Sequence, residues 1–363
     1  MNLERILIFR IGHLGDTLIA LPALWAIRDK FPGAHLTLLT NIDMRNPNYI
    51  SPRDVLPSSG LVDETLAYPT NLGPLRRRVA LISLVAKIRQ RRFDAAIYLM
   101  PRIRSGIQID RDLSFFRLCG IRQVLGAEYV RSNALTLPIP KPTPTVTREA
   151  DFLLDLLASI GLPTSGSEMR TDLLLDQKER ASAISWLENE VGERHTGRKL
   201  LAIAPASKWR SKVWPEGRFA DVVSRLIDRS AVYPIVFGGP EDKAVGDRLV
   251  AKWQAGANAA GALKIRESAA LLERCSLYLG NDTGTMHLAA AVGTPCVATF
   301  AAIDWKDRWL PVGADHEVFR KSVACEGCLT PDCFNHHECL DLITVDEVYQ
   351  ACASMIGDAD PDR

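Results

Sequence analysis

GNDTGTMHLAAAVGTPCVATF, residues 280–300, reads as a strand end, a turn, a helix and the next strand. SLYLG, ending at Gly280, is a short apolar run of strand type, and PCVATF is the second. Between them Asn281 and Asp282 make the turn. Thr283 to Val292 form a helix of small residues stopped by Gly293. The first N–H groups of such a helix have no partner within it and carry the positive end of its dipole. With Gly284 beside them they form a place for an anion, and a diphosphate suits it. Asp282, Thr283 and His287 add side chains to that opening.

Outward from this unit the chain alternates strand and helix signals. RILIF (Arg5–Phe9) is a strand and Asp16–Arg28 an apolar helix; HLTLLT (His35–Thr40) and DAAIYLM (Asp94–Met100) are further strands. The proline-rich LPIPKPTP (Leu137–Pro144) leads out of this half, and helices follow at Glu149–Ile160 and Lys178–Val191. The pattern restarts with LLAIAP at Leu200, a helix over Phe219–Asp228, and the strand AVYPIVFGG. Such alternation predicts parallel βαβ units, hence an α/β chain of two doubly wound halves. The boundary is placed between residues 165 and 198, giving domains 1–170 and 171–345. A C-terminal helix and tail, 346–363, is expected to pack back on the first domain.

The 363 residues exceed what one core ordinarily serves, so two domains are expected on length alone. An apolar fraction of 47% and a charged fraction of 24% are those of a globular protein. The longest apolar candidate span, Leu18–Ile27, is short and closed by Arg28, Asp29 and Lys30. Arg10 and Asp16 interrupt the pattern a signal peptide needs. The expected compartment is the cytoplasm. A net charge of +1 conceals an asymmetry: residues 1–150 carry 21 Lys+Arg against 12 Asp+Glu, the remainder 23 against 31. Between Arg76 and Arg104 nine basic residues meet one acid, Asp94. That stretch is either a solvated helix face with its loops or a surface for an acidic acceptor or anionic lipid head groups. No nucleic-acid module accompanies it.

Each half opens with a loop that carries chemistry. RIGHLGD (Arg10–Asp16) joins a strand to a helix but lacks the G-x-G-x-x-G spacing of a dinucleotide fingerprint. Asp16 either caps the helix or faces the crevice beyond the strand ends, with His13 and Gly15 beside it. APASKWRSKVWPEGRF (Ala204–Phe219) brings Ser207 and the cations Lys208, Arg210 and Lys212 to a second strand end, where lysine is a point-charge partner for phosphate. FGGPEDK (Phe237–Lys243) is a third such turn, with Gly239 and Glu241. Loops that follow strand C-terminal ends converge on one crevice.

RIGHLGDTLIALPALWAIRDKFPGA, SKVWPEGRF, FGGPED and GNDTGTMHLAAAVGTP together resemble glycosyltransferase family 9, the bacterial heptosyltransferases of lipopolysaccharide core assembly. The first and last motifs are long and specific; residues 40–135 carry none. The resemblance implies the GT-B architecture, two Rossmann-like domains facing across a cleft. It also implies inverting transfer of heptose from ADP-heptose, with no metal in catalysis. In those terms Asp16 is the general base and Lys212 the diphosphate-binding lysine, with Ser207 nearby. Asp282, Thr283, Gly284 and His287 hold the nucleotide sugar, and Gly239 and Glu241 lie toward the nucleoside. The expected partners are the ADP-sugar donor, an acidic glycan or lipid-linked acceptor, and the inner membrane as a peripheral contact. The one departure noted is Thr285, where many relatives have proline or a leucine-like residue. Two other readings stand beside this: a GT-B transferase using another nucleotide sugar, and a non-catalytic nucleotide-binding partner protein.

Cys325, Cys328, Cys333 and Cys339 are spaced C-x2-C-x4-C-x5-C, with His336 and His337 between. Four thiolates suit zinc or iron tetrahedrally, in a structural and not a catalytic role. Four reduced thiols in a tight loop, or an opportunistic disulfide, are the other readings. Similar clusters in some relatives of the family hold iron. Cys119, Cys275, Cys296 and Cys352 read as buried small apolar residues.

Overall fold

The computed structural model describes residues 3–43, 49–162 and 169–357, so positions 165–168 of the expected boundary and 358–363 of the expected tail lie outside the described residues. The chain divides into two compact units, Met1–Leu137 with Arg148–Leu173, and Pro138–Thr147 with Leu174–Arg363.

In the first unit β1 (Arg5–Phe9), β2 (His35–Asp43), β3 (Glu64–Thr70), β4 (Ala95–Tyr98) and β5 (Val124–Leu125) form a parallel sheet in the order β3-β2-β1-β4-β5. Ile6 to Phe9 and Ala95 to Tyr98 are all buried, as expected of central strands covered on both faces. The connecting helices are α1 (Leu14–Leu18), α2 (Leu21–Lys30), α3 (Pro52–Val55), α4 (Pro74–Arg91), α5 (Gly106–Leu118), α6 (Ala127–Ser132) and α7 (Glu149–Ser159). The single helix expected over 16–28 is two. Pro22 has no N–H to continue the ladder from the first helix into the second, so the chain turns once at Ile19–Ala20 and restarts. The edge strand β3 and the long helix α4 went unread in the sequence. β3 contains Pro69, which an edge strand tolerates.

In the second unit β6 (Lys199–Ala204), β7 (Val232–Val236), β8 (Ala257–Asn258), β9 (Leu277–Asn281), β10 (Cys296–Phe300) and β11 (His316–Arg320) are parallel in the order β11-β10-β9-β6-β7-β8. Around them stand α8 (Gln177–Glu190), α9 (Glu216–Ser230), α10 (Lys243–Trp253), α11 (Ile265–Leu272), α12 (Gly284–Ala291), α13 (Glu338–Asp341) and α14 (Val345–Ile356). Trp214 and Phe219, ring centroids 5.0 Å apart and edge-on, anchor the core with Leu226, Leu279 and Val297. Helix α14 begins at the Thr344 cap and buries Val348, Tyr349, Cys352 and Ile356 in this same core, with Arg225 of α9 stacked 3.9 Å over Tyr349. The last helix is thus part of the second unit's own core. Its apolar face finds the gap beside α9. Among the described residues no helix is long and apolar enough to cross a membrane.

The proline-rich segment 138–147 packs with the second unit although both its flanks belong to the first. Thr145 bridges to Lys306, Val146 N–H donates to the Lys306 carbonyl at 3.0 Å, and Thr143 N–H donates to buried Glu326 at 2.7 Å. Burial alone raises the Glu326 pKa, but the Thr143 N–H, Ser322 and the Arg320 guanidinium at 3.4 Å hold it below the usual glutamate value. A depressed carboxylate contributes stability above its unfolded-state pKa and loses it as pH falls through the folded value. Glu326→Ala is therefore expected to cost about 1–3 kcal/mol at neutral pH, with the gap from wild type narrowing in acid. Urea melts at pH 7 and pH 4 measure this, and a gap that widens in acid contradicts it.

Candidate functional site

In an open parallel sheet, ligands bind beyond the strand C-termini where the strand order reverses. In the second unit β6, β7 and β8 run one way across the sheet, and β9 returns to the other side of β6. The reversal lies between β6 and β9, and the loops leaving these two strands carry Lys212 and Asp282. Lys212, in a 3₁₀ turn over Arg210–Lys212, places its Nζ 2.6 Å from Asp282 Oδ2, with side-chain exposures of 19% and 8%. The pair is largely shielded from water yet opens at the sheet edge. The ammonium also lies 5.9 Å from the Trp209 ring.

Asp282 is followed by Thr283, the residue preceding α12, and Gly284 opens the helix. Met286, His287, Leu288 and three alanines of α12 are buried, so the helix lies close on the sheet with its N-terminus at the reversal point. Gly280 is required one step earlier: a Cβ there would stand 2.3 Å from the Tyr278 hydroxyl and 2.8 Å from the Ala204 carbonyl. Asn281 is fully buried and does more than turn the chain. Its Oδ1 accepts from Trp214 N–H (2.9 Å) and the Thr299 hydroxyl (3.1 Å), and its Nδ2 donates to the Pro205 carbonyl (2.8 Å).

Ser207 accepts from Trp209 N–H at 3.4 Å, within the same loop as Lys212. Lys208 and Arg210 are exposed, and Arg210 only approaches exposed Asp332 at 4.0 Å. The β7 loop brings Gly239 and Glu241 to the same edge; Glu241 is exposed. Gly239 N–H donates to Asp242 at 2.9 Å. Burial pushes the Asp242 pKa up, the Gly239 bond opposes this, and the neighbouring Glu241 charge adds to it. His287 is buried, 6.5 Å from the Trp309 ring. Trp309 donates to Asp304 at 2.8 Å, and buried Arg308 reaches Asp304 at 3.4 Å while lying 4.6 Å over Trp309. This Asp304–Arg308–Trp309 group follows β10 at the same edge and was missed in the sequence, although the strand-end rule applied to IDWKDRW points to it.

The four loop cysteines are free thiols, and among the described residues no three His, Cys, Asp or Glu side chains stand where one metal ion would be held. Cys328 faces the Thr330 hydroxyl at 3.4 Å, and Cys339 accepts from Ala302 N–H at 3.4 Å. The donor chemistry nonetheless fits a soft metal. Asn335 N–H and His337 N–H both donate to Cys333, and Asn335 Nδ2 donates to Cys325. Burial raises the Cys339 pKa, the Ala302 N–H opposes this, and Cys325, Cys333 and Cys328 add to the rise. The same loop buttresses the Lys212 turn, since Ser211 donates to Pro331 O through its N–H (2.9 Å) and to Thr330 O through its hydroxyl (2.5 Å).

In the first unit the strand order reverses between β1 and β4. Arg10, 2% exposed, spans that point. It donates to the Asp16 carbonyl at 2.9 and 3.2 Å and to Leu99 O, after β4, at 3.3 Å. Its guanidinium also stands 3.8 Å from Asp16 Oδ1. Asp16 lies inside the first turn of α1, not at its cap; its Oδ2 accepts from His13 N–H at 2.9 Å, and its side chain is 24% exposed. Gly12 holds φ +153°, and a Cβ there would sit 2.2 Å from Asp16 Cβ. Gly15 is half-buried in the same turn. Tyr49, unread in the sequence, donates to Gly12 O at 2.5 Å and packs 5.2 Å from the exposed His13 ring.

The model of the family described as glycosyltransferase family 9 (heptosyltransferase) matches residues 81–337. Lipopolysaccharide heptosyltransferase 2 of Escherichia coli (strain K12) is 28% identical over 145 residues, 36% of this chain and 41% of that protein. The protein of the same name from Salmonella typhimurium is 26% identical over 176 residues, 44% and 48% of the two chains. The match therefore spans less than half the length of these curated relatives. Among solved structures, the family 9 glycosyl transferase of Veillonella parvula DSM 2008 aligns with a TM-score of 0.73 at 20% identity over 99% of both chains, which speaks for the fold.

Asn281→Ala removes three buried bonds and leaves Trp214 N–H and Pro205 O without their partner, so it is expected to lower stability by about 2–4 kcal/mol. Urea denaturation measures it; a loss below about 0.5 kcal/mol, the range of an ordinary surface change, removes Asn281 from this role.

Proposed function

Because the chain belongs to glycosyltransferase family 9, we propose that it is an inverting glycosyltransferase moving heptose from ADP-heptose to a hydroxyl of a lipopolysaccharide core or another acidic, lipid-linked glycan, at the cytoplasmic side of the inner membrane. The observation that carries this is the Lys212–Asp282 pair at the strand reversal, beside the N-terminus of α12. That is a place for a diphosphate held by one ammonium and by backbone N–H groups. His287, Thr283, Gly284, Ser207, Gly239 and Glu241 line the loops of the same edge and serve the donor.

Inversion needs a base on one face of the anomeric carbon and a stabilised leaving group on the other. Asp16 serves as the base. Arg10 fixes its backbone and Gly12 allows its close approach, while the carboxylate keeps a face toward solvent for the acceptor hydroxyl. As the hydroxyl oxygen bonds to carbon, its proton passes to Asp16 and the bond to the diphosphate oxygen breaks. The charge that develops on ADP is met by Lys212 and the first N–H groups of α12. Asp282 compensates the Lys212 ammonium, and the incoming diphosphate takes over that partnership.

The cysteine loop holds one zinc or iron ion through Cys325, Cys328, Cys333 and Cys339, in a structural role. The support is the donor set with its N–H···S bonds and the hold of Thr330 and Pro331 on Ser211, next to Lys212. The ion would fix the loop and supplies no step of the transfer.

Asp16→Ala is expected to fold and bind ADP but to lose transfer; undiminished turnover rules out Asp16 as the base. Lys212→Ala should weaken ADP binding by about 1–3 kcal/mol in calorimetric titration, as for a lost charge-assisted bond. ADP is expected to bind more tightly than UDP or GDP, and a preference for either of those assigns another donor. Purified protein is expected to carry one equivalent of metal that Cys325→Ser lowers; wild-type protein free of zinc and iron ends the metal reading.

A further inference from the structure

Helix α4 is amphipathic in an unusual sense. The positions it buries are Leu84 and Ile88, yet it also exposes Leu75 (75%), Val79 (61%) and Ile82 (70%) to water. At 100° per residue these three fall on one stripe, roughly half a turn from the buried pair. Exposed Arg76, Arg78 and Lys87 flank that stripe, and Arg77 and Arg89 are exposed as well. Residues 71–92 contain seven Lys+Arg and no Asp or Glu. Arg91 is tied to Glu64, but Arg76, Arg77, Arg78 and Lys87 have no ion pair among the described residues.

The topology widens this face. β1, β2 and β3 progress one way across the sheet, and the step from β3 to β4 runs back. With right-handed crossovers α4 and α5 therefore share the sheet face opposite α2. Arg89 donates to Leu118 O at 3.4 Å, which joins the C-terminal ends of the two helices. At the other end, Ile107 in the first turn of α5 is 84% exposed, with Ile103 exposed just before it. Leu75 and Ile107 thus stand near the strand C-termini, the edge that also carries Asp16, while exposed Leu118 continues the apolar face at the far end of α5.

We infer that this α4–α5 face is a docking surface for a bilayer containing anionic lipid. On α4 the apolar stripe flanked by Lys and Arg, with no acid, is the pattern of a helix lying in the plane of a charged membrane interface, and on α5 the exposed Asp110 is paired with Arg131. Each Lys or Arg near such a surface contributes about 1 kcal/mol, and the apolar stripe adds its own burial. A second copy of the chain is the poorer occupant, because a two-fold contact brings two copies of the basic α4, which has no acid of its own, into one interface. This deepens and rests on the lipid-linked acceptor proposed above, by supplying the surface on which that acceptor is met.

The test is co-sedimentation of the whole protein with vesicles of phosphatidylcholine alone and of phosphatidylcholine mixed with phosphatidylglycerol, without nucleotide or acceptor. Binding to the mixed vesicles is expected, decreasing as salt rises. The triple variant Leu75→Glu, Val79→Glu, Ile82→Glu should bind roughly tenfold or more weakly. Arg76→Gln, Arg77→Gln, Arg78→Gln should lose roughly a hundredfold at low salt, and these surface variants should melt like wild type. Wild-type protein left in the supernatant with mixed vesicles overturns the inference, as does a Glu variant that binds undiminished. A concentration-dependent dimer dissolved by the Glu variant assigns the face to a second copy and overturns it too. The assay uses neither donor nor acceptor, so failed transfer and failed docking are separate results.

Discussion

The Asn281 side chain lies fully buried where β9 ends, and it commits three of its four hydrogen bonds to three other segments: the loop after β6, the approach to α9, and β10. A buried amide tolerates no substitute partner, since each polar atom left unpaired costs about as much as a lost hydrogen bond. The bonds therefore fix where Pro205, Trp214 and Thr299 stand relative to one another. The positions of Lys212 and Asp282 follow. Trp214 in turn carries Phe219 and the start of α9, so the strand-end edge and the apolar core meet at one residue.

Arg10 has a comparable place in the first unit. It joins the loop after β1 to the loop after β4 by bonds to backbone carbonyls, and so fixes geometry without needing a matched side chain. Both units thus use the same arrangement. A parallel sheet places its loops at one edge, the reversal of strand order opens a crevice there, and one buried polar side chain spans the crevice from beneath. Asp16 in one unit and the Lys212–Asp282 pair in the other stand one layer outward.

Much of this was legible in the sequence because central parallel strands are apolar throughout and the loops after them carry the charged residues. RILIF, LLAIA, VYPIV and CVATF all lie in strands, and the small-residue helix after Asp282 is where its composition placed it. What was not legible depends on partners distant in the chain. Arg10 looks like any loop arginine until Leu99 is beside it. Asp304, Arg308 and Trp309 make sense only beside His287. The split of the expected helix at Ile19–Ala20 was readable from Pro22 and was overlooked. The cysteine spacing says nothing of what each thiol faces, and the contact of Cys328 with Thr330 had to be seen.

The strap formed by residues 138–147 has a consequence for biosynthesis. It leaves the first unit, packs with the second, and the chain then returns to complete α7 before leaving again. Its partners, Lys306 and Glu326, are made more than 150 residues later. On the ribosome the strap emerges with nothing to bind, and residues 148–173 of the first unit follow it before either partner is made. The two units thus do not mature as independent beads in order of synthesis. The earlier one holds a segment in waiting, which settles only when Lys306 and then Glu326 have been made.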